Sequence, residues 1–162
     1  MSVELANESG TSVDEPALVQ VARFVLDRMG VSPLAELSLL LVDTRQMAEL
    51  HEHWMNLPGP TDVLAFRMDE LDLRGAPGVD RAPTGAGDDQ APVLLGDVVL
   101  CPEVAAAQAV EAGHGTEDEL QLLCTHGVLH LLGFDHEEPG EHQQMFDLQG
   151  TLLTAWKAAR TP

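Results

Sequence analysis

The chain has 162 residues, of which 44% are hydrophobic, so residues 1–162 suffice for one ordinary domain with a packed core. Its 27 acidic residues outnumber 8 basic ones, and the resulting net charge of −19 disfavours diffuse binding to nucleic-acid phosphates. No apolar run reaches the length of about 18 residues that predicts a membrane span, and the N-terminus MSVELANESG lacks the pattern of a secretory signal, so we expect a cytoplasmic protein.

The first part of the chain predicts a strand, a helix and a second strand. Residues 3–7 are typical of a short opening strand. The helix that follows is predicted to be capped by Ser12 with Glu15 three residues on, and to end at Gly30. The nearly uninterrupted apolar run at 37–42 indicates a buried strand.

The middle of the chain predicts a helix, two strands and a long loop between those strands. Thr44 is predicted to cap a helix that reaches about Trp54, where the segment LPGP breaks it. Residues 62–66 favour a strand. Residues from about 69 to 92 are rich in glycine and proline, which indicates a flexible loop, and residues 93–100 return to strand composition.

The last part of the chain predicts helices only. Residues 102–112 are rich in alanine, and Thr116 with Glu119 resembles a capping box that opens a helix over 116–132. A final helix is expected over about 140–159, interrupted by Gly150. Helices and a few strands in mixed order predict a small α+β domain, in which helices pack against one sheet.

The segment THGVLHLLGFDH at residues 125–136 carries a pattern that predicts chemistry. His126 and His130 are four residues apart on a predicted helix, so their rings emerge on one face and suit a shared metal ion. Gly133 can adopt the left-handed conformation that ends the helix, and His136 follows as a third ligand. Three imidazoles with one open position are the usual form of a catalytic zinc site, although nickel and copper also accept imidazole ligands.

Two kinds of hydrolase share this histidine spacing. In metzincin proteases a glutamate follows the first histidine and acts as general base, but Gly127 stands there in this chain, so a metallopeptidase is only the alternative hypothesis. The remaining prediction is a metal-bound water that attacks an ester or a phosphodiester. Asp135 and Glu137 flank His136 and are candidates for orienting that water or a ligand ring, and His142 is an alternative ligand.

The motif HGVLHLLGFDH resembles the signature of the YbeY family of bacterial endoribonucleases. Other segments resemble the family in the same order and spacing: VELANES near the N-terminus, PTDVLAF at 60–66, GDVVLCPE at 96–103, and the acidic stretch leading to Met145 and Phe146. The likeness spans nearly the whole chain apart from residues 69–92.

The resemblance implies a metal-dependent hydrolase, with one zinc ion per chain, that cuts single-stranded RNA. It also implies a role in ribosomal RNA processing, especially maturation of the 3′ end of 16S ribosomal RNA, and in ribosome quality control. The implied fold is a small mixed sheet flanked by helices, with the ligands His126, His130 and His136 on a central helix and the turn after it. The expected partners are ribosomal RNA and the small ribosomal subunit or accessory proteins, without DNA or a membrane.

The chain departs from the family near the expected phosphate. Many members carry an arginine that helps to bind or activate the RNA phosphate, at the position that Met55 occupies here. Arg67 ends the segment AFR where Ser-Phe-Pro is common. Its guanidinium is a candidate to replace the missing cation, and the alternative is a solvated arginine at the end of a strand. The catalytic candidates are therefore His126, Arg67 and Asp135. A ribosome-assembly factor with a purely structural metal is the non-catalytic alternative.

Overall fold

The structure, a computed structural model, describes residues 2–68, 93–134 and 139–160. These ranges contain four strands and five helices, in the chain order β1 (Ser2–Asn7), α1 (Glu15–Arg28), β2 (Ala35–Leu41), α2 (Thr44–Met55), β3 (Val63–Arg67), β4 (Val93–Leu100), α3 (Pro102–Ala112), α4 (Thr116–Leu131) and α5 (Pro139–Arg160). The loop predicted over 69–92 and the site candidates Asp135, His136 and Glu137 lie outside the described residues.

The strands form one mixed sheet in the order β1-β2-β4-β3. β1, β2 and β4 are parallel, and Leu39 of β2 lies opposite Leu5 on one side and Val98 on the other. β3 runs antiparallel to β4, with Ala65 opposite Val98, and is an edge strand of the described sheet. One mixed sheet with helices packed on it confirms the predicted α+β class.

Each face of the sheet has its own core, because successive strand residues point to opposite faces. On one face Leu39 and Val98 belong to the larger core, which α1, α4 and α5 complete. On the other face Phe66 and Val99 pack with Met47 of α2. α4 is the central helix of the larger core, since it contacts α1, α3, α5, β3 and β4.

The first two helices begin at caps other than the predicted ones. Ser12 does not cap α1; the carboxylate of Asp14 accepts a 3.1 Å hydrogen bond from the backbone N–H three residues on. Thr44 is the first residue of α2 rather than its cap. The cap is Asp43, whose Oδ1 accepts from the backbone N–H of Gln46 at 2.8 Å. In both helices an aspartate is the better cap because its negative charge also favours the helix N-terminus.

Two predictions about the last helices are also wrong. α4 has no side-chain cap at its start, because Glu119 pairs with His114 instead of closing a capping box with Thr116. α5 continues through Gly150 without interruption, since a glycine in a helix interior costs only about 1 kcal/mol and packing of the other residues outweighs it. None of the described helices is long and apolar enough to cross a membrane.

Candidate functional site

His126 and His130 lie one turn apart on α4 and line the same cleft, whose volume is about 140 Å³. Both rings are half-buried, while Thr125, Val128 and Leu129 beside them are fully buried in the core. The structure thus brings the two histidines to one side of the helix, as their spacing predicts. The bound metal itself stays a prediction.

The facing wall of the cleft is the edge strand β3 together with the end of α2. Val63, Leu64 and Ala65 supply the strand's part, and Met55 supplies the helix's part. Met55 is 43% exposed and occupies the position where the resemblance expects an arginine. Met55, which stands where the family has an arginine, therefore lies in the same cleft as the two histidines and makes this wall apolar.

Gln149 holds the ring of His126 through a hydrogen bond, and the sequence alone did not indicate Gln149 as a site residue. Oε1 of Gln149 accepts a 3.0 Å hydrogen bond from Nδ1 of His126. Gln149 is on α5 and only 5% exposed. Because an amide oxygen only accepts, Nδ1 carries the ring proton and the lone pair lies on Nε2. No local pattern links residues 23 positions apart, so only the packing of α5 on α4 reveals this contact.

Gly127 allows α4 to lie close to the sheet beside the histidines. A Cβ at this position would lie 2.7 Å from Cγ1 of Val98 and 3.3 Å from Cγ2 of Val63. A side chain at position 127 would therefore run into the sheet, and a glutamate does not fit. This geometry argues against the metallopeptidase alternative, which needs a general base at that position.

Arg67 contacts the C-terminal end of α4. Gly133 has a φ of 100°, which confirms the left-handed turn predicted there. The carbonyl of His130 accepts hydrogen bonds from the N–H of Gly133 and from Nη2 of Arg67, both at 3.1 Å. A guanidinium at this end of a helix is favoured by the carbonyl dipoles. Of the predicted site residues, His126 and His130 line the cleft and Arg67 contacts the backbone carbonyl of His130, while Asp135 and His136 lie beyond the described ranges.

The described donors fit a zinc ion in part. The hydrogen bond that Nδ1 of His126 donates to Gln149 favours the tautomer with its lone pair on Nε2, which a metal ligand needs, in largely apolar surroundings. Within residues 2–68, 93–134 and 139–160 no group of three potential ligands occurs. A three-histidine site therefore needs a residue outside these ranges, and His136 is the candidate.

Three groups away from the cleft have shifted pKa values. Burial raises the pKa of the Asp97 carboxyl, and a hydrogen bond from Ser38 opposes this effect. Burial also raises the pKa of the Cys101 thiol, and it raises the pKa of Cys124 to about 12. Both thiols are therefore protonated near neutral pH and unreactive as nucleophiles.

Comparisons with known proteins agree on one family. The family model described as Endoribonuclease YbeY matches residues 4–157. Proteins named Endoribonuclease YbeY from Salinispora tropica and Acidothermus cellulolyticus are 60% and 59% identical to this chain, over 99% of its length and 99% and 94% of theirs. The Thermobifida fusca protein of that name is 56% identical over 97% of this chain and 95% of its own length.

A solved structure agrees on the fold. The solution structure of TM1509 from Thermotoga maritima matches with a TM-score of 0.58 and 24% sequence identity, over 99% of this chain and 94% of the other. The shared fold and the family match over nearly the full length lead to one conclusion. The chain belongs to the endoribonuclease YbeY family.

Proposed function

We propose that this protein is a zinc-dependent endoribonuclease that cuts single-stranded RNA in maturation of the 3′ end of 16S ribosomal RNA and in ribosome quality control. The observation that carries the proposal is the placement of His126 and His130 on one cleft beside an edge strand. The names of the relatives support the nuclease class. In this proposal His136 completes the ligand set for one ion per chain.

The size of the cleft supports a phosphodiester as the group that enters it. Pockets that enclose whole small molecules usually measure about 300–1,000 Å³. The cleft of about 140 Å³ is smaller, so it suits a phosphate group and an attacking water rather than a complete nucleotide. The ribose and base of the substrate then lie outside the cleft.

The chain's own groups would position this phosphate. Zinc, when bound, would supply a Lewis acid and activate water near neutral pH. Gln149 keeps the lone pair of His126 on Nε2, and Arg67, at the carbonyl of His130, would donate to a phosphate oxygen in place of the family arginine. Asp135 would orient the attacking water. The thioether of Met55 carries no charge and contributes only apolar contact.

The charge of the chain supports a role for partners in RNA capture. With a net charge of −19 the protein repels polyanions at long range, so we expect weak, salt-sensitive binding of naked RNA. We therefore propose that it acts in the cytoplasm on the small ribosomal subunit or with an accessory protein. DNA and membranes are not part of the proposal.

The proposal is tested by comparing substrates with and without metal. Purified protein is incubated with single-stranded RNA, with immature small ribosomal subunits and with casein, each with chelator and after zinc is restored. We expect zinc to restore cleavage of both RNA substrates and casein to stay intact. RNA cleavage that survives complete metal removal would contradict the proposed metal dependence. Zinc-dependent cleavage of casein would favour the metallopeptidase alternative.

Arg67→Ala tests the phosphate contact. We expect kcat for RNA cleavage to fall about 10- to 100-fold, because the variant loses a charged donor to the transition state. Bound zinc should remain at the wild-type level. Arg67→Lys keeps the charge but loses the planar fork, so it should recover only part of the rate.

Arg45→Ala is the matched control, since Arg45 is a highly exposed arginine on α2. It should cleave RNA at the wild-type rate. If Arg67→Ala and Asp135→Asn are both folded, hold zinc and cleave RNA at the wild-type rate, neither side chain has the proposed role. A wild type that holds zinc but cleaves neither RNA substrate is better described as an assembly factor with a structural metal.

A further inference from the structure

α5 places an exposed aromatic ring beside the first histidine. Phe146 is 43% exposed, whereas the other phenylalanines, Phe24, Phe66 and Phe134, are partly or fully buried. The ring centroid of Phe146 lies 6.1 Å from that of His126. It lies 4.5 Å from that of His142, with 37° between the ring planes. We call the surface formed by His142 and Phe146 the aromatic platform.

The core packing of α5 does not account for Phe146. The core face of this helix carries four buried residues at helical spacing: Met145, Gln149, Leu152 and Trp156. Phe146 lies beside this stripe, and much of its ring is open to solvent. Single exposed apolar side chains are common on protein surfaces, but this one is an aromatic ring whose centroid lies 6.1 Å from that of a histidine lining the proposed catalytic cleft.

We propose that the aromatic platform stacks a base of the RNA strand whose phosphodiester enters the cleft. This inference rests on the proposed function and adds a base-binding subsite to it. A cleft of about 140 Å³ suits the phosphate group, so we place the base next to the reacting phosphate outside it. Phe146 lies immediately beside His126, where such a base would be. Aromatic side chains that stack on unpaired bases are the usual means of holding single-stranded RNA.

The charge of the protein favours stacking over other kinds of contact. A chain with 27 acidic and 8 basic residues gains little general attraction to phosphates. Stacking uses the face of the base, so it does not depend on that attraction, and it tolerates different base sequences. An apolar contact with a protein partner is the other use of such a ring, and the test below separates the two.

The test uses RNA that carries 2-aminopurine, a fluorescent base that is quenched when it stacks. The base is placed in turn at each position of a short single-stranded RNA, and stopped-flow mixing with zinc-loaded protein records binding before cleavage. We expect quenching at one position next to the scissile bond. Phe146→Leu should abolish this quenching and weaken binding about 5- to 100-fold, whereas Phe146→Trp should retain both.

Two controls make the assignment specific. Val110→Ala removes an exposed apolar side chain on α3, where Val110 is 82% exposed, and should behave like the wild type. An RNA without a base at the quenched position should bind wild type and Phe146→Leu equally. The ratio of RNA affinities between the wild type and Phe146→Leu should not change with salt. The loss of RNA affinity caused by Arg67→Ala should shrink as salt rises, because Arg67 is proposed to contact a phosphate.

Each outcome distinguishes this inference from the proposed function. If the wild type cleaves RNA, and Phe146→Leu binds RNA and quenches 2-aminopurine as well as the wild type does, the base-stacking proposal is wrong and the nuclease proposal stands. If Phe146→Leu fails on ribosomal subunits but binds free RNA normally, the ring contacts a protein and stacking is excluded. If the wild type neither binds nor cleaves RNA, both proposals fail.

Discussion

The hydrogen bond between Gln149 and His126 is the clearest single contact in the site. Oε1 of Gln149 lies 3.0 Å from Nδ1 of His126, and both residues are held by packed helices. A partner on the second ring nitrogen fixes the orientation and tautomer of a metal-binding histidine. Gln149 is therefore a positioning residue for the proposed zinc ligand.

Gln149→Leu tests this positioning at the scale of one residue. We expect zinc affinity to fall about 10- to 100-fold, because the ring of His126 is no longer held in its ligand tautomer. Competition with a chromophoric chelator measures the affinity without any assay of cleavage. Gln149→Glu retains an acceptor oxygen, so it should bind zinc more tightly than the leucine variant does.

Gln143→Leu is the control for the same substitution on the same helix. Gln143 is exposed and its side-chain amide donates to Asp147 at 2.8 Å. This variant should bind zinc as the wild type does. Equal zinc affinity of Gln149→Leu, Gln143→Leu and the wild type would show that the contact does not position the ligand.

At the scale of elements, the close approach of α4 to the sheet sets the shape of the cleft. Gly127 is buried between the helix and β4, and a Cβ there would come within 2.7 Å of the Val98 side chain. Val98 is itself fully buried and has a stiff, branched side chain, so it has little freedom to yield. The glycine therefore determines how near His126 and His130 come to β3.

Gly127→Ala should destabilise the fold. Overpacking of a core lowers the free energy of unfolding by about 1–3 kcal/mol. The better helix propensity of alanine offsets up to about 1 kcal/mol of this loss. Gly150→Ala is the matched control, since Gly150 is also inside a helix but nothing lies within 4 Å of its added Cβ. It should be stabilising by about 0.5–1 kcal/mol. Urea unfolding measures the free energy of unfolding of both variants. A Gly127→Ala protein as stable as Gly150→Ala would contradict the close contact between α4 and the sheet.

At the scale of the whole molecule, charge repulsion works against the folded state. The chain carries a net charge of −19, and the exposed carboxylates of Glu4 and Glu36 line one groove on the sheet together with Asp97. Burial raises the pKa of Asp97, so its ionised form is disfavoured in the folded protein. A net charge far from zero lowers the stability of a compact structure through self-repulsion.

Raising the salt concentration should therefore stabilise the protein. We expect the melting temperature to rise from low to physiological salt, because ions screen repulsion between surface charges. The double variant Glu4→Gln/Glu36→Gln should melt at a higher temperature than the wild type in low salt, and should respond less to added salt. A melting temperature that falls as salt rises would show that attractive ion pairs dominate instead.

Local sequence patterns determined which segments form strands and helices, and which histidines are candidate metal ligands. The apolar run at 37–42 became β2 with small shifts of its ends, and the alanine-rich stretch at 102–112 became α3 with the predicted bounds. The four-residue spacing of His126 and His130 also put both rings on one cleft, since a helical turn alone fixes that relation. Helix starts were less predictable, because Asp14 and Asp43 competed with neighbouring hydroxyl residues for the same cap.

Only the tertiary structure decided what faces the histidines. The order β1-β2-β4-β3 places the edge strand β3 against α4, and no local pattern specifies such pairing between distant segments. The same packing brings Met55, Arg67 and Gln149 to the histidines from three other elements. Contacts of this kind depend on how the cores fill, which is a property of the whole chain, whereas the spacing of two residues on one helix is set by the geometry of the helix itself.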